Sequence, residues 1–369
     1  MIFSKEDSAK TKGVAVILLV FHHLFFTDRG YEINLQLISL DTLRTLAVAA
    51  RICVWIFAFL SAYGIATQFA RRPEGESISN FLKRRWVSLM KSYWFVFALT
   101  FLCMFLAGDN PMKQYNNSPV NLLLDGFAFS DFFRTPTLRT TWWYMCFAQM
   151  QLFVLPALIL LCKKLGGLAS IVLVFLGSQY MGSAITSLSG GNYLMYAMAT
   201  LFGVLCVQYE FFEKIKPIKA YKEALRWISV LGVVILGIYL RFVVSAEDFQ
   251  YKSYNIHWLS QSVSAVGVAL LVFLLKGKLK KIQIGKAFAF LGTHSGNIFL
   301  VHMIYVKYLG KYIFITKNVI LTTAILLGVS LLTSIGIEWL KKVLKYNQWF
   351  VLRENKKELE KEFTKRKGF

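Results

Sequence analysis

The chain has 369 residues, 56% of them hydrophobic and only 17% charged, with a formal net charge of +22. A soluble domain carries about 25% charged and 45–50% apolar residues, so this composition excludes a water-soluble enzyme and a disordered chain. The excess is aliphatic and aromatic, including 32 Phe, 17 Tyr and 9 Trp, and it falls in long blocks between short charged clusters, the layout of a polytopic membrane protein.

A helix needs roughly 20 apolar residues to cross about 30 Å of hydrocarbon. In chain order, ten blocks qualify: 9–27, 47–69, 92–108, 141–162, 167–185, 191–210, 226–244, 257–275, 288–308 and 318–341. The first has a short unbroken core, Gly13 to Phe21, and reaches spanning length only by including Lys10, Lys12, His22 and His23. Between the third and fourth blocks lies 107–140, long enough for a small re-entrant or surface helix. The expected fold is therefore an all-α polytopic membrane protein of about ten transmembrane helices. One membrane domain covers 1–345, followed by a basic and acidic tail over 346–369.

Lys and Arg set the orientation. The N-terminus, the even-numbered connections and the tail hold 31 of them, among them Lys12, Arg71, Arg72, Arg84, Arg85 and Lys91. The opposite side holds 11: Arg29, Arg44, Arg51, Lys113, Arg134, Arg139, Arg241, Lys252, Lys307, Lys311 and Lys317. This asymmetry predicts that both termini are cytoplasmic. It also accounts for the net charge without nucleic acid, because the clusters are dispersed and interrupted by spans. They read as solvated loops attracted to anionic lipid, and the same field would draw in a polyanionic small molecule. Cys53, Cys103, Cys146, Cys162 and Cys206 lie in apolar blocks without CxxC spacing, as core residues and not disulfides or zinc ligands. No metal and no cleavable signal are expected.

Ionisable groups inside a span are expensive and are functional candidates by default. His22, His23 and His302 qualify, whereas His257 and His294 sit near span ends. Lys12 and His23 are eleven residues apart, about 1100° of helix, so they share a face and stand about 16 Å apart along the axis. His22 points about 100° away. A cation at one mouth and an imidazole half a membrane deeper suit a long ligand with an anionic end in the cytoplasm and a reactive end in the bilayer. The plainer alternative is a snorkelling lysine and a histidine hydrogen-bonded between helices.

Five blocks carry a resemblance to a known family. Lys12-Gly-Val-Ala-Val-Ile-Leu-Leu-Val-Phe-His-His23 resembles the opening signature of the bacterial membrane acyltransferase-3 family, usually Arg-Gly with a histidine eleven positions after the Arg. Ile56-Phe-Ala-Phe-Leu-Ser-Ala-Tyr-Gly64, Asn80-Phe-Leu-Lys-Arg-Arg-Trp86 and Thr141-Trp-Trp-Tyr-Met145 are similar to its second, third and fourth spans. Leu291-Gly-Thr-His-Ser-Gly-Asn-Ile-Phe-Leu-Val-His302 resembles its Leu-Gly-x-x-Ser block ending in histidine. The blocks run in order from 12 to 302, with departures at Lys12 for Arg, at Ala62 for Gly, and at Ser88 and Lys91 where the family often has Arg and Pro. Lys keeps the charge but loses bidentate phosphate geometry.

The resemblance implies an O-acyltransferase of the bacterial inner membrane that acylates extracytoplasmic glycans, lipid-linked saccharide precursors or related acceptors. Its donor would be a cytoplasmic acyl-CoA, with acetyl-CoA expected, and no permanently bound cofactor. His23 would be the general base, or a transient acyl carrier. Lys12, Arg84, Arg85 and Lys91 would meet the donor phosphates, and as individual residues they read equally as topology markers. Tyr63, Trp142, Trp143 and Tyr144 would line the acceptor side or form an interfacial aromatic belt. Ser61, Ser295, Asn297 and His302 would be supporting hydrogen-bond groups. Membrane lipid is the expected surround, and a homodimer is compatible with the reading. No fused extracytoplasmic esterase-like domain is expected. The rival readings are a transporter or flippase for an anionic or lipid-linked substrate and an inactive family member.

Overall fold

The structure, a computed structural model, describes residues 3–35, 38–188, 193–216, 218–244, 256–281 and 283–350. The expected tail beyond 350 and Lys252 lie outside the described residues. Among the described residues the chain is helical, without strands.

Helix α1 (Lys5–Phe25) starts at a capping box. The Ser4 hydroxyl accepts from the Asp7 amide at 3.1 Å, and the Asp7 carboxylate accepts from the Ser4 amide at 3.0 Å. Two backbone donors that a helix start leaves open are thereby satisfied. Helices α2 (Leu40–Ala49) and α3 (Cys53–Ala70) join through a 3-10 turn at Ala50–Ile52 into one 31-residue apolar stretch, Leu40–Ala70. Then follow α4 (Ile78–Leu106), capped by Ser77, and the short α5 (Pro119–Gly126) and α6 (Ser130–Phe133). The membrane helices resume with α7 (Trp143–Leu188), α8 (Ala197–Gln208), α9 (Ala220–Val244) and α10 (Ile256–Lys281). They end with α11 (Ile284–Thr293), α12 (Ser295–Ile313) and α13 (Val319–Val343).

All ten expected blocks fall on helix, but they divide differently. Among the described residues, seven helices are long and apolar enough to cross a membrane, or eight if α11 and α12, bent by 75°, form one span. Helix α7 comprises two helices that meet at a break, and the fourth and fifth blocks are its two arms. Its 42-residue apolar stretch, Thr140–Met181, would measure about 63 Å if straight, roughly twice the hydrocarbon core. It breaks instead at Gly166 (φ 77°, ψ 173°), a conformation that only glycine adopts readily. Leu155 and Cys162 before the break and Ile171 and Phe175 after it all join Met198, Leu201 and Val204 of α8 in one cluster. The sixth block is a short apolar helix, Tyr193–Gln208.

Contacts between connections define two ends. At one, Phe3 stacks on Phe212 at 4.4 Å and meets Tyr63 edge-on at 5.2 Å, joining the start of α1 to α3 and the segment after α8. At the other, the segment after α1 meets the α12–α13 connection. There Glu32 pairs with Lys317, the Asn34 amide donates to the Lys317 carbonyl, and Tyr31 stacks on Phe314.

Segment 107–140 holds a 3-10 turn at Pro111–Tyr115 along with α5 and α6. Its hub is the buried Asp125 carboxylate. It accepts from the hydroxyls of Tyr115 (2.8 Å), Ser130 (2.9 Å) and Thr137 (2.7 Å) and from the Leu138 amide (2.9 Å). The Asp125 carbonyl accepts from Tyr93 on α4 at 2.6 Å. Burial and the adjacent carboxylate push the Tyr115 hydroxyl well above its ordinary pKa, so it remains a donor.

The closest helix crossing is α1 on α11. A Cβ on Gly13 would stand 2.1 Å from the Phe288 carbonyl oxygen, and one on Gly292 would stand 1.7 Å from the Ala9 carbonyl oxygen. The two backbones touch without intervening side chains, the close approach that small residues permit between membrane helices.

Gly13→Ala and Gly292→Ala should each destabilise the protein by about 1–3 kcal/mol through overpacking, read as a lower melting temperature in detergent. Gly64→Ala, whose Cβ would meet nothing within 4 Å, should leave it unchanged or slightly raised. Asp125→Ala should cost about 3–5 kcal/mol, because four donors lose a buried acceptor together.

Candidate active site

The α1–α11 crossing sets the register of two histidines. His23 follows Gly13 by ten residues and His302 follows Gly292 by ten, and their rings meet with centroids 5.0 Å apart. His302 is fully buried, and its Nδ1 lies 3.1 Å from the Ile298 carbonyl and 2.8 Å from that of Phe299. Carbonyls only accept, so Nδ1 carries the hydrogen and Nε2 holds a lone pair. That Nε2 is buried without a partner. The His23 ring likewise has no hydrogen bond among the described residues and lies 5.0 Å from the His22 ring. His22 has a different job. Its Nδ1 donates to the Ala47 carbonyl at 2.7 Å and its ring stacks on Phe26, tying α1 to α2.

Around the pair stands part of the expected aromatic set. Tyr144 packs against Phe57 and Phe299, and Phe299 in turn against His302. Trp143 stacks on Tyr196. Ser61 stands next to the Tyr144 hydroxyl, which is buried without a well-formed hydrogen bond, as is that of Tyr196. Trp142 is a clamp: its indole donates to the Leu300 carbonyl at 2.9 Å and its ring meets Tyr93, holding the start of α7 on α12 and α4. Tyr63 lies away from this group, with Phe3 and Phe212 at the end where α1 begins.

Asn297 and Ser295 are buried at the start of α12. The Asn297 amide donates to Ser334 at 3.2 Å and to Glu338 at 2.8 Å, and His294 Nδ1 lies 2.8 Å from Ser334. Lys341 completes the group by pairing with Glu338 at 2.8 Å. This network fastens the α11–α12 bend to α13.

Of the expected donor cations, Lys12 is half-buried on α1 and has no carboxylate partner among the described residues, while its neighbour Lys10 pairs with Glu6. Arg85 is half-buried over the Phe81 ring, with Nε unpartnered. Lys91 is half-buried, and its carbonyl accepts from Tyr346. Arg84 is engaged by Glu76, whose two carboxylate oxygens receive Nη2 at 2.8 and 2.9 Å, and it closes the 71–77 connection onto α4.

Three arginines from the sparsely charged side, Arg29, Arg51 and Arg241, lie near the histidines, and a fourth, Arg139, lies by Tyr308 on α12. Arg29 donates to the His23 carbonyl at 2.8 Å. Arg241 donates to the Val48 carbonyl at 3.3 Å and lies over the Trp55 ring, and Arg51 faces the Tyr196 hydroxyl. Arg139 is buried, donating to the Leu138 carbonyl and the Tyr308 hydroxyl. Their sequence signal is placement against the positive-inside trend, which topology does not require.

Two imidazoles with unshared nitrogens, packed among aromatic side chains, can accept and return a proton. The sequence profile of the acyltransferase-3 family, described as an acyltransferase domain, matches residues 11–339, a range that includes Lys12, His23 and His302. No curated protein and no solved structure matches the chain significantly.

If Arg84 serves Glu76 alone, Arg84→Gln and Glu76→Gln should each lower stability by about 0.5–1 kcal/mol, and the double variant by no more than either. Denaturation of the three proteins measures this. An additional loss of acyl-CoA affinity in Arg84→Gln, absent from Glu76→Gln, would return Arg84 to the donor site.

Proposed function

The chain belongs to the acyltransferase-3 family, and from that premise we propose that it transfers an acetyl group from cytoplasmic acetyl-CoA to an acceptor hydroxyl beyond the membrane. The acceptor is an extracytoplasmic glycan, its lipid-linked precursor or a related molecule, and the membrane is a bacterial inner membrane. The observation that carries this reading is the His23–His302 pair, set ten residues from a fixed backbone crossing, with His23 eleven residues beyond Lys12, which has no carboxylate partner among the described residues.

The chemistry follows from that placement. The acceptor oxygen attacks the thioester carbonyl carbon, His23 takes the hydroxyl proton, the C–S bond breaks, and the proton passes to the departing CoA sulfur. A hydroxyl is a poor nucleophile while it keeps its proton, which is why a base within reach is needed. The lone pair on His302 Nε2 offers a place for a hydrogen of a protonated neighbour, so His302 acts as a positioning residue. A transient acyl group on His23 is a second route through the same atom. Lys12, with Arg85 and Lys91, supplies positive charge for the donor phosphates at the cytoplasmic mouth. Trp143 and Tyr144 offer ring faces to the acceptor.

The test uses purified protein with radiolabelled acetyl-CoA, following CoA release and acceptor labelling. His23→Ala should lose about 10²–10⁴-fold in transfer while holding donor affinity within about twofold. Full transfer by His23→Ala would end its catalytic role, and a wild-type protein that binds no acyl-CoA would end the reading itself. Lys12→Ala should weaken donor binding, and an unchanged Kd would leave Lys12 a topology marker.

A further inference from the structure

A cavity of about 480 Å³ has Arg29, Tyr31, Arg139, Thr140, Thr141 and Lys307 in its wall. Its size falls within the roughly 300–1,000 Å³ usual for ligand sites. Two contacts fix its place. Arg29 donates to the His23 carbonyl, and Met303, the residue after His302, contributes to the lining. The cavity therefore lies at the end of the bundle that the charge asymmetry assigns to the outside.

Among the described residues the wall carries three cations and no carboxylate. Carboxylates of the same end are engaged elsewhere: Asp28 with Arg44, Glu32 with Lys317, and Asp125 with its four donors. Asp109 lies with Arg139 in the wall of a neighbouring apolar cavity and forms no ion pair with it. Within the wall, Nε of Arg29, Nε of Arg139 and the Thr141 hydroxyl are buried without hydrogen-bond partners, and Arg139 is only 5% exposed. Unmade buried hydrogen bonds are costly, and guanidinium nitrogens only donate. Those atoms are closed to the cavity, so what the wall offers a ligand is the net positive charge of Arg29, Arg139 and Lys307, which an anion balances and a neutral hydroxyl does not.

We propose that this cavity seats the acceptor, and that the acceptor carries a carboxylate or phosphate held by Arg29 and Arg139 while its reacting hydroxyl faces His23. The inference rests on the acyl-transfer reading of His23 and adds to it the charge class of the acceptor. An acidic or phosphorylated saccharide is the ligand this wall selects, over an uncharged one.

The experiment measures binding of galacturonic acid and glucose 1-phosphate to the full-length protein, against galactose and glucose, with acetyl-CoA binding measured on the same preparation. At least one anion should bind tenfold or more tightly than its neutral counterpart at low salt, with the preference shrinking as salt rises. Whichever anion wins separates a carboxylate from a phosphate. Arg139→Gln and the exposed Lys307→Gln should each reduce the preference threefold or more, and Arg139→Lys should keep most of it. Thermal unfolding reports whether each variant is folded, and Lys307→Gln stands in if Arg139→Gln is not. Equal binding of charged and neutral sugars by wild type, or a preference that survives Arg29→Gln/Arg139→Gln, overturns the inference. Wild type that binds acetyl-CoA without anion preference defeats this inference alone. Anion preference without acetyl-CoA binding defeats the acyl-transfer reading, and with it the acceptor role of the cavity.

Discussion

The structure depends on one place where two backbones touch. Gly13 and Gly292 let α1 and α11 approach until carbonyl oxygens stand where side chains would otherwise be. Contacts of this kind have no slack, because a single added methyl meets backbone and not a movable side chain. Everything above the crossing inherits its register. Ten residues further along the chain from each glycine stand His23 and His302, the first on the same helix as its glycine, the second beyond a 75° bend. The bend is held by His294, Asn297, Ser334 and Glu338, and His22 and Trp142 brace the two sides with bonds to the backbones of α2 and α12. Polar side chains in the bundle therefore divide into those that fix geometry and a few left with nitrogen or oxygen to spare.

That division explains which parts of the site could be read from residues alone. The ten apolar blocks and the stripe from Lys12 to His23 follow from composition and helical period, the 291–302 block stands out through the family resemblance, and all fall on the helices. What fails to show in a linear pattern is pairing. Arg84 looks like any cation of a cytoplasmic loop, and only folding reveals Glu76 wrapped against it. Tyr63 belongs to an aromatic run, but its position along α3 sets it beside Phe3, far along α1 from His23. The break at Gly166 falls in the gap between the fourth and fifth apolar blocks, where Lys163 and Lys164 interrupt the apolar run, whereas its left-handed backbone shows only in the fold.

The arginines of the sparsely charged side carry the converse lesson. Charge on the crowded face has a general explanation and so says little about any one residue. Arg29, Arg51, Arg139 and Arg241 go against that explanation, and each lies near the imidazoles or close to the wall around them. An arginine that orientation does not require must be kept by something local, and a buried one needs acceptors. Backbone carbonyls supply some of these. The unpartnered Nε atoms of Arg29 and Arg139 mark where they fall short.

The glycine crossing also governs what can move. A helix locked backbone to backbone against its neighbour can neither slide nor roll past it without first separating, so α1 is a post and not a rocker. Alternating access, in which one bundle tilts against another around a bound solute, would have to leave the His23 post standing still. On the proposed acyl-transfer reading, two substrates meet from opposite faces at a stationary imidazole, and only the acyl group makes the full crossing.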